Sequence, residues 1–277
     1  MGIFVWPAQV MRFFFHDLAS PISMDCLSLS VVIITFNEEA NLARTLAGVA
    51  WADEIIVVDS GSTDRTREIA ESLHAKFFVE PWKGFAAQKN SALLKATGDW
   101  ILSLDADEEL EPALSDEIHS VLAANPSVAG FWIPRKNFFL GRWIRRGGFY
   151  PDRKLRLFRR GRGEFEGRLV HEDIRLDGPS ATLHYHLLHY AYPTLENYID
   201  HMNRYSSLGA EMANEKRLRG FSFLDIVIRP KLTFFYNYVL RGGFLDGREG
   251  LLLHLYHAGY VSWKYAKAWE IGRQKSD

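Results

Sequence analysis

Two aspartates at the end of an apolar segment are the residues of this sequence best suited to chemistry. Asp105 and Asp107 stand one residue apart, directly after residues 100–104, whose Trp-Ile-Leu-Ser-Leu order is typical of a buried β-strand. Such a strand delivers both carboxylates to its carboxyl end, where open α/β sheets bind ligands, and carboxylate oxygens suit hard divalent cations. The pair therefore predicts a metal site. The alternative is an acidic turn, completed by Glu108 and Glu109, that caps the next helix.

Two earlier apolar segments also end in polar residues. Residues 29–34 read Leu-Ser-Val-Val-Ile-Ile and run into residues 35–38, Thr-Phe-Asn-Glu. Residues 54–58 read Glu-Ile-Ile-Val-Val and end at Asp59, which is followed by a glycine-containing turn. Both segments have the composition of strands that are buried on both faces. Three strand ends with polar or acidic residues describe one edge of a parallel sheet, which predicts a nucleotide site there.

Apolar residues at helical spacing separate these strands. One set is Leu42, Leu46 and Val49, the next is Ile69 and Leu73, and the third is Leu114, Ile118 and Leu122. Further strands are expected in residues 130–133 and 154–158, and residues 195–208 return to helical spacing. This alternation predicts an α/β fold of right-handed βαβ units, with a mostly parallel central sheet and flanking helices. A chain of 277 residues that is 47% apolar is long enough for one such core and a helical appendage.

Three segments, taken in their order and spacing, resemble the family 2 glycosyltransferases with the GT-A nucleotide-sugar fold: residues 30–39, 56–66 and 105–107. The resemblance covers roughly residues 27–190. Residues 82–90, together with Leu-Val-His-Glu at 169–172, are most similar to the branch that contains the lipopolysaccharide-core β-1,4-glucosyltransferases. It implies a GT-A catalytic domain, which we expect over residues 27–192, after an N-terminal extension (1–26) and before a helical, aromatic and basic C-terminal region (193–277).

The resemblance also implies roles for particular side chains. Asp107 is expected to bind Mg²⁺ or Mn²⁺ directly, and Asp105 to contact the sugar or ribose or to bind the metal through water. Asp59 is expected to hydrogen-bond the nucleotide base, and Glu38 to approach the base or ribose. The other residues expected to face the donor are Thr35, Asn37, Gln88 and Lys89. Asp59 and Glu38 are alternatively ordinary acids at helix N-termini, and Lys89 part of a solvated helix face.

An inverting reaction is a single in-line displacement, so its general base must come from a later segment, across the donor sugar from the metal. Glu172 is the predicted base, because the resembling branch carries Val-His-Glu at this point, and Asp173 is the second candidate. Both acids are alternatively partners of nearby arginines in surface ion pairs. His171 or His184 is a possible further metal ligand, although a lone histidine is more often structural.

Positive charge is concentrated in one stretch of a chain whose net charge is −1. Residues 135–168 hold twelve Lys or Arg against three acids, an excess of nine that is expected to attract an anion. Arg153 and Arg156, which flank the core-facing Leu155 on the strand at 154–158, are expected to point the same way and to clamp a diphosphate or an acidic acceptor.

The last third of the chain interleaves aromatic and cationic residues. Over residues 221–269 the apolar runs are too short to span a bilayer, and the composition suits the headgroup layer. We expect peripheral contact with an anionic membrane surface, at the inner face of the cytoplasmic membrane. A helical cap on the catalytic domain is the alternative. Residues 1–25 lack the flanks of a signal peptide, the single cysteine Cys26 excludes a disulfide framework, and no nucleic-acid recognition motif is present.

The predicted function is the inverting transfer of a hexose, glucose from UDP-glucose, to a lipopolysaccharide-core or other glycolipid acceptor. An enzyme that loads a sugar onto polyprenyl phosphate is the nearest alternative. A nucleotidyltransferase is a further one, but it would need a glycine-rich, basic phosphate loop where residues 35–39 are acidic. A glycan-binding relative without activity remains the non-enzymatic alternative.

Overall fold

The computed structural model describes residues 27–167, 173–215 and 221–274. The β-strands are β1 Leu29–Thr35, β2 Glu54–Asp59, β3 Lys76–Val79, β4 Trp100–Asp105, β5 Glu108–Leu110, β6 Gly130–Phe139, β7 Arg142–Trp143, β8 Asp152–Arg159, β9 Gly163–Glu166, β10 Asp173–Leu176, β11 Ser180–Thr182 and β12 Leu187–Tyr192. The α-helices are α1 Leu42–Ala47, α2 Thr66–Ser72, α3 Phe85–Leu93, α4 Pro112–Ala123, α5 Leu195–Glu215, α6 Arg229–Phe234 and α7 Gly247–Gln274. Two π-helical segments, Leu224–Ile228 and Phe235–Leu240, flank α6, and a 3₁₀ turn, Gly243–Asp246, precedes α7.

The amino-terminal half forms the parallel part of a ten-stranded sheet. Its four strands lie in the order β3-β2-β1-β4, with α1, α2 and α3 as the intervening connections. The register pairs Thr35 with Asp59 and Ile34 with Asp105. The carboxyl ends of β1, β2 and β4 therefore meet at one edge of the sheet, as the sequence predicts.

The rest of the sheet is mixed. It continues from β4 through β8, β6 and β12 to β5, and β8 runs antiparallel to both β4 and β6. The short strand β5 follows Asp107 directly and pairs antiparallel with β12, so that Glu108 lies opposite His189. Buried Leu110 and Leu187 fix this pairing from the apolar side. The predicted α/β fold with a mostly parallel sheet and flanking helices is confirmed.

Helices cover both faces of the sheet. On one face, Leu42 and Leu46 of α1 and Leu114 and Ile118 of α4 pack into the larger apolar cluster. On the other, Ala92 at the end of α3 belongs to a second, smaller cluster. Each fully buried leucine contributes roughly 1.5–3 kcal/mol to stability, so the apolar stripes that predict these helices also hold them on the sheet.

The carboxyl-terminal region is helical. α5 packs along α7, with Ala210 and Ala268 buried between them. Asp246, buried before α7, accepts hydrogen bonds from the backbone N–H groups of Arg145 (3.1 Å) and Arg146 (2.8 Å). This carboxylate ties the helical region to the loop after β7. No helix in the described ranges combines the length and apolarity that crossing a membrane requires.

Candidate active site

The loop after β2 is organised by Asp59. One carboxylate oxygen of Asp59 accepts the backbone N–H groups of Gly61 (2.8 Å) and Ser62 (2.7 Å), and the other accepts the hydroxyls of Ser62 and Thr35 (2.9 Å). Gly61 has a φ of 96°, which only glycine adopts readily. Buried Asp59 and Thr35 thus shape the edge of the predicted nucleotide site, and four hydrogen bonds fix the orientation of the carboxylate.

The loop after β1 is held against the loop after β2. Asn37 adopts a left-handed φ of 55°, a conformation that asparagine tolerates, and its backbone N–H donates to Ser62 Oγ at 2.7 Å. Its side-chain Oδ1 accepts the N–H of Thr63 at 2.9 Å. Asn37 therefore positions two loops of the sheet edge relative to each other.

Glu38 faces the acidic motif. Its backbone N–H donates to Thr66 Oγ1 at 2.8 Å, and its carboxylate accepts a hydrogen bond from Asn41 at 3.0 Å. Burial raises the pKa of Glu38; the Asn41 hydrogen bond opposes this, and the carboxylates of Asp107, Asp64 and Asp105 raise the pKa further. A cation at this edge would relieve that repulsion.

Asp105 is paired with two cations. Lys89 Nζ lies 2.8 Å from its Oδ1, and Arg156 donates a short hydrogen bond to its Oδ2. Burial alone would raise the pKa of Asp105, but Arg156 and Lys89 hold it well below the usual range. Asp105 is therefore an ionised carboxylate whose two oxygens both already contact protein cations.

A fully buried glutamate, Glu108, completes this ion cluster. Its Oε1 accepts Nη1 of Arg135 (2.8 Å) and Nη2 of Arg156 (2.7 Å), while its Oε2 accepts the backbone N–H of Asp105 at 3.1 Å. Although burial lowers an arginine's pKa, the carboxylates of Asp105 and Glu108 raise that of Arg156 overall. The sequence offered Glu108 only as part of a capping turn, and the role of Arg135 was not predicted.

Arg153 and Arg156 have different surroundings, so the prediction that they point the same way and form one clamp is wrong for this arrangement. Arg156 is 5% exposed, whereas Arg153 is exposed on the outer part of β8. The register of β8 against β6 shifts between Leu157 and Leu155, leaving Arg156 without a cross-strand partner. Simple alternation directs residues three positions apart to opposite faces of a strand, so the spacing did not support the prediction, and a bulge re-aims a side chain in addition.

Asp107 lies beside a histidine of β12. His189 Nε2 is 3.3 Å from Asp107 Oδ2, and His189 Nδ1 is 2.7 Å from Asn137 Oδ1. Burial raises the pKa of Asp107 and nearby Asp105 adds to this, but His189 and, more weakly, Arg135 outweigh both, so that the pKa is lowered. Asn137 Nδ2 donates in turn to Asp152 at 3.0 Å, and Arg135 binds the same carboxylate oxygen at 2.7 Å. A continuous polar chain therefore joins Asp107 to the Arg135–Glu108 pair.

The donor set at this edge suits a hard divalent cation. Asp107 has a carboxylate at the end of β4, His189 adjoins it, and Glu38 and Asp105 add negative charge. Among residues 27–167, 173–215 and 221–274, no three His, Cys, Asp or Glu side chains are arranged as a metal cluster by themselves. Asp107 and His189 would fit an ion that took its other ligands from a bound phosphate and water. The histidine close to Asp107 is His189; His184 is exposed and its ring binds Glu117 at 2.8 Å.

Gln88 and Lys89 are both buried in α3, and for Gln88 this contradicts the prediction that its side chain opens onto the donor edge. Gln88 is 0% exposed, and neither of its amide atoms has a hydrogen-bond partner among the described residues. Lys89, 8% exposed, reaches Asp105 and lies over the ring of Phe165, so the solvated helix face is also wrong. The hairpin β9–β10, which packs on α3, explains this burial.

Of the two candidate bases, Asp173 lies in that hairpin. His171 and Glu172 lie outside the described residues, while Asp173 is exposed at the start of β10, opposite Glu166. The side chain of Asn90 in α3 bonds both backbone groups of Phe165 in β9, at 2.9 Å each. β9 is therefore fastened to the helix that carries Lys89.

A cavity of about 190 Å³ adjoins the polar chain. Polar Arg135, Asn137, Asp152 and His189 form part of its wall, and apolar side chains form most of the rest: Phe138, Phe139, Ile144, Phe149 and Leu253, with Tyr192 beside them. The cavity lies on the β12 side of Asp107, where α7 meets the sheet through Leu253.

Comparisons with known proteins converge on one family. Residues 30–175 match the family model described as Glycosyl transferase family 2. The chain is 32% identical over 251 residues to the lipopolysaccharide core biosynthesis glycosyltransferase LpsC of Rhizobium meliloti (strain 1021), covering 88% of this chain and 93% of that one. It is also 32% identical over 260 residues to an uncharacterized glycosyltransferase of Rickettsia bellii (strain RML369-C), with 89% and 87% covered.

One solved structure shares the fold. The mannosyltransferase PcManGT from Pyrobaculum calidifontis, in complex with GDP-Man and Mn²⁺, superposes with a TM-score of 0.52 at 16% identity, over 87% of each chain.

Proposed function

Because this chain belongs to glycosyl transferase family 2 and has the GT-A fold, we propose that it catalyses the inverting transfer of a hexose to a glycolipid. The proposed donor is UDP-glucose and the proposed acceptor is the lipopolysaccharide core, in line with the name of the Rhizobium meliloti relative. We assign catalysis to residues 27–192 and treat residues 193–277 as a helical region that supports it.

The observation that carries the proposal is the meeting of Glu38, Asp59, Asp105 and Asp107 at the carboxyl edge of β1, β2 and β4. In this role Asp59 and Thr35 present the base-binding loop, and Asn37 holds that loop against Glu38. Carboxylates accept hydrogen bonds from a base N–H and from sugar hydroxyls. Lys89 sits beside Asp105, where its charge would favour the diphosphate of a bound donor.

Asp107, assisted by His189 and through water by Asp105, would hold Mg²⁺ or Mn²⁺. The ion would neutralise the diphosphate that leaves when the sugar is transferred. The protein residues do the remaining work. Arg156 keeps Asp105 ionised, and Asn137 fixes the ring of His189 by binding its Nδ1, so that Nε2 faces Asp107.

Glu172 is the proposed general base, with Asp173 next to it. It would take the proton of the attacking acceptor hydroxyl, while the bond from the sugar to the diphosphate breaks on the opposite face. The contacts of Asn90 with Phe165 support this role, because they tie β9, which precedes Glu172 in the sequence, to the donor-side helix.

The acceptor side is proposed to lie towards β12 and the helical region. The cavity beside His189 offers aromatic walls and polar groups, the combination that saccharide rings use, and exposed Arg153 is available for an acidic substituent. A glycolipid acceptor would be met at the anionic inner face of the cytoplasmic membrane.

The test is a donor screen with purified protein, several nucleotide sugars, and Mg²⁺ or Mn²⁺. We expect transfer from UDP-glucose to a lipopolysaccharide-core acceptor, with inverted anomeric configuration in the product. Transfer from another nucleotide sugar would correct the donor alone, and retention of configuration would overturn the mechanism. Transfer to polyprenyl phosphate with none to the core acceptor would establish the alternative acceptor, and absence of transfer from every donor would overturn the proposal.

A further inference from the structure

Exposed apolar side chains are concentrated in one part of the carboxyl-terminal region. The described residues expose twenty large apolar side chains, and twelve of them fall within residues 221–255. These twelve, which we call the apolar face, are Phe221, Phe223, Leu224, Leu232, Phe235, Tyr236, Val239, Leu240, Phe244, Leu245, Leu251 and Leu255. An exposed patch on this scale marks an interaction surface rather than ordinary surface composition.

The spacing of these residues is helical. Leu232, Phe235, Tyr236, Val239 and Leu240 follow the i, i+3, i+4, i+7, i+8 pattern along α6 and the π-helical segment after it. Such a stripe normally faces a protein core, yet here it is exposed. The helical segment is thus an amphipathic element whose apolar side chains, 41–64% exposed, are left largely uncovered by the described residues.

Charge distinguishes between possible occupants. Within residues 221–255, all of which the structure describes, four basic residues are exposed: Arg229, Lys231, Arg241 and Arg248. No acidic residue there is exposed. Asp225 pairs with Arg229 at 2.9 Å, and Glu249 lies 3.7 Å from Arg142. Asp246 accepts a hydrogen bond from the backbone N–H of Arg145. A second copy of this face would bring like charges together, whereas an anionic lipid surface would complement them.

The apolar face belongs to the same helices that reach the candidate active site. On α7, Leu251 and Leu255 are exposed, while Leu253 between them is buried and lines the cavity beside His189. The backbone N–H of Gly147 donates to the carbonyl of Arg241 at 3.1 Å, which joins the loop after β7 to the end of the amphipathic element. A surface bound at the apolar face is therefore held on the proposed acceptor side.

We propose that the apolar face inserts into the headgroup layer of an anionic bilayer, with the exposed cations Lys231, Arg241 and Arg248 at the lipid phosphates. The inference rests on the proposed function in one respect: membrane binding would serve to bring the enzyme to a lipid-linked acceptor. Insertion itself needs neither donor nor acceptor. Burial of uncharged apolar side chains in the bilayer stabilises the bound state. Electrostatic attraction between the cations and anionic lipid is the second contribution to the binding free energy.

The test is flotation of the full chain with vesicles of equal parts phosphatidylcholine and phosphatidylglycerol. Leu232 and Leu240, exposed in the protein, would be buried in the bilayer on insertion, so Leu232→Glu/Leu240→Glu should weaken vesicle binding at least about tenfold. Lys231→Gln/Arg248→Gln should weaken it by roughly tenfold at low salt and less at high salt. The control is Leu94→Glu, a leucine directly after α3 that is 87% exposed and lies outside the apolar face, and this variant should bind as the unmodified protein does.

Three results would overturn the inference. One is unchanged vesicle binding by Leu232→Glu/Leu240→Glu, and another is an equal loss in Leu94→Glu. The third is self-association in lipid-free solution that the leucine double variant abolishes, since this would assign the face to a second copy. Donor hydrolysis, measured in parallel without lipid, separates the two proposals: vesicle binding by an inactive protein would contradict only the proposed function.

Discussion

Lys89 Nζ lies 2.8 Å from Oδ1 of Asp105, and this ion pair links α3 to the end of β4. Arg156 binds the other oxygen of the same carboxylate. Asp105 therefore enters any reaction already neutralised by protein cations. Asp107 has only one ion-pair contact among the described residues, with the imidazole of His189. The two aspartates of one short motif consequently differ in what they can offer a metal ion.

Asp107→Ala should reduce sugar transfer by roughly 10²–10³-fold or more, because metal neutralisation of a leaving diphosphate is worth several kcal/mol. Chelation of the unmodified protein with EDTA should have the same effect, and nucleotide affinity should fall in both cases. The measurements are initial rates and nucleotide binding by calorimetry. Asp177→Asn, on the exposed turn after β10, is the control. Full activity in the presence of EDTA would contradict the prediction.

Glu172→Gln should lower turnover on the order of 10² to 10⁴, the scale of general-base catalysis, while donor affinity stays nearly unchanged. Glu164→Gln is a matched control, because Glu164 is an exposed acid of the adjacent strand that pairs with Arg175 at 2.8 Å. Unchanged turnover in Glu172→Gln together with a loss in Asp173→Asn would transfer the role to Asp173.

Arg156→Met should destabilise the protein by about 3–5 kcal/mol, since it leaves the carboxylates of Asp105 and Glu108 without their shared buried cation. Arg153→Met, three residues earlier on the same strand, should change the free energy of unfolding by no more than about 0.5 kcal/mol, because that side chain is exposed. Urea unfolding of both variants measures the difference. Equal losses of unfolding free energy in the two variants would show that burial of Arg156 does not determine its contribution to stability.

Glu54 should make the protein acid-sensitive. Its carboxylate accepts hydrogen bonds from Lys76 (2.6 Å), Ser30 (2.5 Å) and Thr97 (2.9 Å), which outweigh the effect of burial and lower its pKa from 4.5 to about 2. A depressed carboxyl pKa contributes stability above the unfolded value, and this stability is lost as pH falls from about 4.5 towards 2. At pH 7, Glu54→Gln should therefore cost on the order of 2–3 kcal/mol.

Unfolding free energies of the unmodified protein and Glu54→Gln, compared from pH 7 to pH 2, check this sign. The difference between them should shrink as pH falls, while Glu71→Gln, in an exposed pair with Arg67, should track the unmodified protein throughout. A difference that grows on acidification would contradict the assignment.

Local patterns were sufficient to predict the parallel half of the sheet. The buried strands at 29–34, 54–58 and 100–104 are mostly apolar, and their polar ends meet as expected because parallel strands share an edge. The aspartates of that edge could be named from sequence because each stands at the end of its strand or within two residues of it.

The partners of those aspartates come from strands distant in sequence, and no local pattern reports them. Arg135 on β6 and Arg156 on β8 reach Glu108 only through antiparallel pairing and a register shift. For the same reason, the excess of positive charge in residues 135–168 overstates the charge that is available to an anion. Arg135 and Arg156 pair with Glu108 and Asp105. Lys136 binds Glu111 at 2.5 Å. His189 would have been found only by recognising that β12 pairs with the strand after Asp107.

The two hydrogen bonds of Asn90 to β9 bear on the solubility of the protein, because they cover part of an edge of the hairpin β9–β10. A two-stranded hairpin exposes unpaired N–H and C=O groups along its outer edges, and such edges recruit strands from other molecules. At Phe165 the amide of Asn90 occupies both backbone groups of β9, at 2.9 Å each, in the manner of a neighbouring strand. One side chain thereby closes the edge of β9 at its central residue, and the hairpin is protected against intermolecular β-pairing at the point where it meets the enzyme's donor-side helix.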